Sequence, residues 1–326
     1  MRFLSRIGID LYMLVLLATI AAGLMLPARD LAAEVLKDVT FWAVALLFFI
    51  YGAKLDPSAV RAGLLNWRLQ GLSLIATYVM FPLLGLLLVA VFGPLLGATA
   101  VLGLLFLAVL PSTVNSSIAF TSIAGGNVPG AICAASVSNL LGVVLTPALV
   151  ALLLVQGQGG VGFDAVVRIG TQILLPFILG QLALPFIGGF IKRHKLVTMV
   201  VDRGSILLIV YSAFSAGTVS GLWSTVSGVD LALLFGVVWV FLALVMVLVG
   251  AAGRVLTLPS ADRTALFYCG STKSLASGLP IATALFAAEQ VGAIVLPLMI
   301  YHMSQLLVCA VLSQREARRQ VEIGAA

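Results

Sequence analysis

LPSTVNSSIAFTSIAGGNVPG (110–130) and CGSTKSLASGLP (269–280) are the two stretches in which a chain built mostly of Leu, Val, Ala and Gly crowds polar groups together. In the first, Pro111 cannot continue an incoming helical ladder, and Ser112, Thr113, Asn115, Ser116 and Ser117 follow with hydroxyls and an amide. In the second, Gly270, Gly278 and Pro280 break the run around Ser271, Thr272, Lys273, Ser274 and Ser277. A helix broken inside hydrocarbon leaves backbone groups unpaired, which is tolerated only where protein or a water-filled cavity satisfies them. The freed carbonyls, amides and hydroxyls can then bind an ion or a solute. Asn127 and Pro129 are helix-starting signals, so another helix begins just after the first interruption.

Lys273 is the most expensive residue of all. A charged Lys at a helix centre costs about 2.5 to 3.5 kcal/mol on insertion scales, so such residues usually face an interior cavity and mark a pathway. Its own run supplies no carboxylate, with Asp262 and Glu289 near the ends. Its partner is therefore a distant residue, a half-helix C-terminus or an anionic substrate. The plainer reading of the hydroxyls is that they bond the carbonyl one turn back or glue helices together. His302 and Gln305, at helical spacing in YHMSQ (301–305), are further candidates, the His for proton relay. Tyr51, Tyr78 and Tyr211 read as packing residues.

The surrounding composition fixes the solvent. Of 326 residues, 62% are hydrophobic and 9% charged, with a mean hydropathy of +1.20. Soluble domains run at roughly 45 to 50% apolar and about 25% charged, so a water-soluble enzyme, a nucleic-acid binder and a disordered scaffold are poor readings. The net charge of +6 comes from basic residues between apolar runs, where the positive-inside rule accounts for them. Cys133, Cys269 and Cys309 are scattered through apolar runs and suggest neither a disulfide framework nor a zinc site. The run in 1–27 ends in LPARD, not a small-residue cleavage site, and reads as a retained first span.

Apolar runs bounded by charges, Pro and Gly predict an all-α polytopic membrane protein. Its ten spans fall near 8–26, 39–55, 68–92, 98–123, 127–155, 164–191, 202–222, 229–253, 260–287 and 290–313. With the N-terminus inside, the inner loops and tails carry 14 basic residues and the outer loops only Arg29, Lys37 and Arg168. Both termini are then cytoplasmic in a cell (inner) membrane. A single transporter domain is expected over 1–326, with inverted repeats at about 1–157 and 158–313 and a short tail at 314–326. LMLP (24–27) recurs as LALP (182–185), and LLFFIYGA (46–53) resembles LLIVYSAF (207–214). Ser112-Thr113 and Ser138-Asn139-Leu140-Leu141 are echoed, in the same order, by Ser271-Thr272 and Ser304-Gln305-Leu306-Leu307.

These residues resemble the bile acid:sodium symporter superfamily, in particular the divergent member-seven-like subgroup of solute carrier family ten. The resemblance covers nearly the whole chain. It is carried by LLFFIYGAKLD (46–56), LPSTVNSSIAFTSIAGGNVPGA (110–131), SVSNLLGVVLTP (136–147), FYCGSTKSLASGLPIA (267–282) and YHMSQ (301–305). It implies two inverted five-helix repeats, a panel and a core region, and unwound fourth and ninth spans that cross. It also implies sodium ligands at the fourth-span crossing and on the third, fifth and ninth spans. Matched through GGN (125–127), Ser117 falls on a ligand Ser and Ile118 where an Asn is expected; Ala131 and Ala135 replace hydroxyls, with Ser136 and Ser138 nearby. Thr77 stands where a Gln would be, and the ninth-span Glu would fall near Tyr268, with Lys273 close by. Two unit charges about 4 Å apart at an effective dielectric near 20 repel by about 4 kcal/mol, on the order of a thousandfold in affinity. A cationic Lys273 and a bound sodium do not share that crossing cheaply.

The leading expectation is a secondary transporter of a small, anionic organic solute, without cofactor except sodium at Ser116, Ser117 and Ser138. The candidate binding residues are Thr113, Asn115, Ser116, Ser117, Ser138, Asn139, Ser271, Thr272, Lys273, Ser274, His302 and Gln305. A sodium-independent uniporter or exchanger and a proton-coupled carrier are alternatives. From other classes come a Ser-Lys membrane hydrolase using Ser271 and Lys273 and a non-transporting ligand-binding regulator. The partners expected are the solute and the lipid bilayer, with no nucleic acid.

Overall fold

The computed structural model describes residues 11–54, 66–154, 170–225 and 227–324. Arg2, Arg6, Arg61, Arg168 and the junction expected near 157 lie outside them. Among the described residues every regular element is a helix. The first four are α1 (Leu11–Met25), α2 (Asp30–Lys54), α3 (Trp67–Ile75) and α4 (Phe81–Phe92), the last two joined by a π-helical turn at Ala76–Met80. Then come α5 (Ala98–Ala108), α6 (Asn115–Ile123), α7 (Val128–Leu154) and, after a π turn at Gly170–Leu174, α8 (Leu175–Arg193). The last five are α9 (Lys195–Val219), α10 (Gly228–Val255), α11 (Ser260–Ser271), α12 (Leu275–Leu285) and α13 (Ala288–Gly324).

Among the described residues six helical stretches are long and apolar enough to cross a membrane: Trp67–Leu95, Val128–Leu154, Thr171–Ile191, Leu196–Val219, Gly228–Val255 and Ala288–Arg319. Large apolar side chains such as Trp42, Phe186 and Val247 stand exposed on the outer surface, which suits lipid and not water. The chain is a multi-pass membrane protein. Several helices outrun the apolar segments that mark them. α2 starts at Asp30 instead of near 39, α9 at Lys195 instead of near 202, and α13 continues past 313 to Gly324. Charges such as Glu34, Asp202 and Arg318 bound a hydrophobic run, but helix hydrogen bonding does not stop for them, so the helix ends and the membrane edge differ.

Two groups of helices pack among themselves. α1, α2, α8 and α9 form the smaller one, and α9 also packs against α12 and α13 of the other. α2 and α8 meet most closely, because Gly52 lies against the backbone of Phe177 and Gly180 against that of Phe49. A Cβ on either glycine would strike the carbonyl of the facing helix. The second group contains α3 to α7 and α10 to α13. Its buried aromatic centre is Phe81, Phe241 and Tyr301, with ring centroids 5.4 to 5.9 Å apart.

One carboxylate ties three helix starts together in this second group. Asn66 accepts from Leu69 N–H at the start of α3, and Asn127 accepts from Gly130 N–H at the start of α7. The side-chain amides of both donate to Asp262 in the first turn of α11, at 2.9 and 2.6 Å. Each Asn thus caps its own helix while holding an anion near the positive ends of three helices.

Candidate functional site

The two polar stretches both interrupt helices, and the interruptions touch. The first separates α5 from α6 at residues 109–114, and the second separates α11 from α12 at 272–274. Ser274 N–H donates to the Pro111 carbonyl at 2.9 Å, and Ser112 Oγ donates to the Cys269 carbonyl at 2.6 Å and lies 3.3 Å from Thr272 Oγ1. A broken helix must find partners for its loose backbone groups, and here other parts of the chain supply them.

At the first break, Ser138 Oγ accepts from Ser112 N–H at 3.1 Å, and Asn139 Nδ2 donates to the Ser112 carbonyl at 2.7 Å. Thr146 Oγ1 donates to the Val109 carbonyl at 2.8 Å. At the second break, Gln305 grips one peptide unit from both sides, its Oε1 accepting from Lys273 N–H and its Nε2 donating to the Lys273 carbonyl, each at 2.8 Å. His302 Nδ1 lies 3.2 Å from that carbonyl, and Tyr301 Oη donates to the Ser271 carbonyl at 2.8 Å. In each case the long helix after the break reaches back with an amide side chain, Asn139 from α7 and Gln305 from α13.

Lys273 joins the two breaks. Its side chain is fully buried, and Nζ donates to the carbonyls of Thr77, Ala108 and Leu110 at 3.0, 2.9 and 2.5 Å. Three acceptors match the three protons of an ammonium. Nζ also sits 3.9 Å from the centroid of the Phe81 ring. The Leu110 carbonyl lies in the break itself, and prolines explain why the other two are open. Phe81 gives its N–H to Ala76 across the π turn, and Pro82 has none to give, so the helical donors that would reach the Thr77 carbonyl are diverted or missing. Likewise Pro111 has no N–H for the Ala108 carbonyl, and the N–H of Ser112 has turned to Ser138. The ammonium therefore caps the C-terminal, electronegative end of α5.

Beside the breaks lies a cavity of about 330 Å³ between the two helix groups. Thr113, Val114 and Asn115 at the start of α6, Ser274, Ala276 and Ser277 at the start of α12, and Asn139 form one wall. Phe48, Tyr51 and Lys54 of α2, Phe177 of α8 and Asp202 of α9 form another. Ser277 Oγ donates to Asn139 Oδ1 at 2.7 Å, tying α12 to α7. Both short helices start at the cavity, so the positive ends of two helix dipoles lie in its wall.

Of the residues expected from sequence, Thr113, Asn115, Asn139 and Ser274 line this cavity. The others support the breaks. Ser116 Oγ is 2.9 Å from Thr113 Oγ1, Ser117 Oγ donates to the carbonyls of Thr113 and Val114, and Ser138 accepts from Ser112. The three hydroxyls considered for sodium thus have three different sets of partners. Ser271 Oγ donates to the Phe267 carbonyl and Thr272 Oγ1 to that of Tyr268. The Ser-Lys dyad does not form, since Ser271 turns back on its own helix and Lys273 is taken by the three carbonyls.

Sequence reasoning passed over several participants. Tyr78, read as packing, donates to the Ser138 carbonyl. Tyr51, also read as packing, donates to Asp202 Oδ1 at 2.6 Å in the cavity wall. Asp202 stands at the very edge of the span expected near 202–222, whereas α9 starts at Lys195 and carries Asp202 inside the helix. Cys133, Cys269 and Cys309 are buried thiols, not joined in disulfides.

Comparison with known proteins places this architecture. A family model described as the SBF-like CPA transporter family matches residues 10–318. A Pseudomonas aeruginosa protein named "Uncharacterized protein PA2026" is 49% identical over 97% of this chain and 96% of its own length. The Escherichia coli K12 protein named "Putative symporter YfeH" is 43% identical over 97% and 96%. Rat "Sodium/bile acid cotransporter 7" is 28% identical over 96% and 94%. The chain belongs to the SBF-like CPA transporter family, membrane transporters of the bile acid symporter type and not enzymes.

Proposed function

We propose that this protein is a secondary carrier for a small organic solute with an anionic group, and that it works without sodium because Lys273 permanently occupies the place of a coupling cation. The carrying observation is the set of three backbone carbonyls, two opened by Pro82 and Pro111 and the third lying in the first break, to which the buried Nζ of Lys273 donates. An alkali ion organising a broken helix would need oxygens of this kind, and here a tethered ammonium takes them. Like-charge repulsion disfavours a second cation alongside it.

The solute binds in the cavity beside the crossing, its anionic group at the starts of α6 and α12, with Thr113, Asn115, Asn139 and Ser274 as hydrogen-bonding partners. Ser116, Ser117, Ser138, Ser271, Thr272, His302 and Gln305 hold the broken backbone in shape. Transport follows from movement of α1, α2, α8 and α9 against the remaining helices, one domain containing ten passes in two inverted repeats. The matching roles of Asn139 and Gln305 support that repeat. The protein sits in the inner membrane with both termini cytoplasmic, in keeping with the distribution of Lys and Arg.

The test is counterflow of labelled short carboxylates in liposomes containing the purified protein. Protein-dependent flux is expected to be equal in sodium, potassium and choline media. A strong, saturable requirement for sodium overturns the role given to Lys273, and absence of flux with retained binding favours a regulator.

A further inference from the structure

We infer that the carried solute bears a protonated amine as well as its anionic group, with Asp202 as the residue that receives the amine. This rests on the carrier reading above and names its substrate class. Among the described residues that line the cavity, Asp202 is the carboxylate and Lys54 the ammonium; the rest are neutral. Lys54 is the exposed last residue of α2, where a solvated cation at a helix C-terminus needs no further role. Asp202 is different. It stands in a membrane-spanning helix, about 10 Å from the start of α9 at roughly 1.5 Å per residue.

It is half-buried at the edge of the apolar part of α9 and faces the cavity, and a carboxylate so placed in a membrane protein is retained where it meets a partner. Asp202 is met by Tyr51, whose hydroxyl donates to Oδ1 at 2.6 Å. One neutral hydroxyl fixes the direction of the carboxylate without neutralising it. The adjacent cation, Arg203, is directed elsewhere, its guanidinium 4.9 Å from the centre of the Tyr12 ring. The cavity therefore has uncharged donors and two helix starts on one wall and a fixed anion on the facing helices, with Phe48, Phe177, Val143 and Ile281 between them. An organic acid alone would meet electrostatic resistance at Asp202, whereas an amino acid or amino-bearing acid satisfies both ends. A cavity of about 330 Å³ is at the small end of the roughly 300 to 1,000 Å³ typical of ligand sites.

The experiment uses the detergent-purified full chain and matched probes that differ by one amino group: 4-methylpentanoate and leucine, 3-phenylpropanoate and phenylalanine, butyrate and 4-aminobutyrate, glutarate and glutamate. Thermal stabilisation is titrated for each, and the same compounds are run in liposome counterflow. The amino member of at least one pair should bind about tenfold or more tightly than its partner, as expected where a site pairs with a substrate N–H. Asp202→Asn keeps an acceptor for Tyr51 and should remove or reverse that preference, while Lys54→Gln should leave it in place. Tyr51→Phe provides a second variant, and weakened discrimination is expected there too. Plain acids that bind and exchange as well as their amino partners overturn the inference and leave the carrier reading intact. Undiminished preference in Asp202→Asn overturns the role of that residue. Failure of every probe both to bind and to exchange overturns both readings.

Discussion

Replacing Lys273 with Met tests whether the ammonium is a built-in cation. Met keeps most of the side-chain volume and removes the charge, leaving the carbonyls of Thr77, Ala108 and Leu110 without their donor. A buried unsatisfied group costs about 1 to 3 kcal/mol, so three cost roughly 3 to 9 kcal/mol. Losing the contact with Phe81 adds about 1 kcal/mol. Against this, the variant no longer pays to desolvate an ammonium, worth several kcal/mol. The net expectation is a loss of about 3 to 5 kcal/mol, similar to removing one partner from a buried charged pair. It would be read as a clear fall in the melting temperature of the purified protein. A second readout distinguishes a cation site from simple damage. Three carbonyls with the ammonium gone form an oxygen-lined vacancy, so sodium or potassium should stabilise Lys273→Met, by about 1.4 kcal/mol at ten times the dissociation constant. The parent should not respond beyond the choline control. A parent stabilised saturably by sodium, or a variant as stable as the parent, would refute the reasoning.

Three further outcomes follow from the same geometry. Gln305→Leu removes two hydrogen bonds to the Lys273 peptide unit and leaves His302 beside its carbonyl; unfolding should become easier by about 1 to 3 kcal/mol, checked by melting, and residual flux should fall more than binding because the break loses its shape. Asp262→Ala releases the amides of Asn66 and Asn127 and should cost about 1 to 3 kcal/mol, with little change in the solute preference of protein that remains folded. Gly180→Val places a branched side chain against the backbone of Phe49; no rotamer relieves a Cβ collision, so low yield of folded protein in size-exclusion chromatography is expected, and a well-folded product would contradict the close α2–α8 approach.

Much of the fold was legible in the sequence because the bilayer enforces simple rules. Apolar runs must be helices, since hydrocarbon offers backbone groups no other partner, and a polar stretch containing Pro or Gly inside such a run must be a break. Residues 110–117 and 269–278 announced both breaks, and the family resemblance was carried largely by the same segments. The helix limits were less legible. Lys195 to Val201 look like a loop when charge is taken as the end of a helix, which puts Asp202 at the edge of a span and not inside one. Composition alone also left Tyr51 and Tyr78 as packing residues, because a phenol in an apolar run gives no sign of which acceptor, 60 or 151 positions away, its hydroxyl reaches.

The sequence by itself determined that this is a helical membrane protein with two interrupted helices and one Lys at bilayer depth. Tertiary structure decided where that Lys points. Its three acceptors come from α5, the following break and the π turn before Pro82, segments more than 160 residues away in the chain. Local sequence can show that a proline withholds an N–H, but only packing decides which distant donor takes the open carbonyl. The same holds for the cavity, whose polar wall comes from α6, α7 and α12 and whose carboxylate comes from α9.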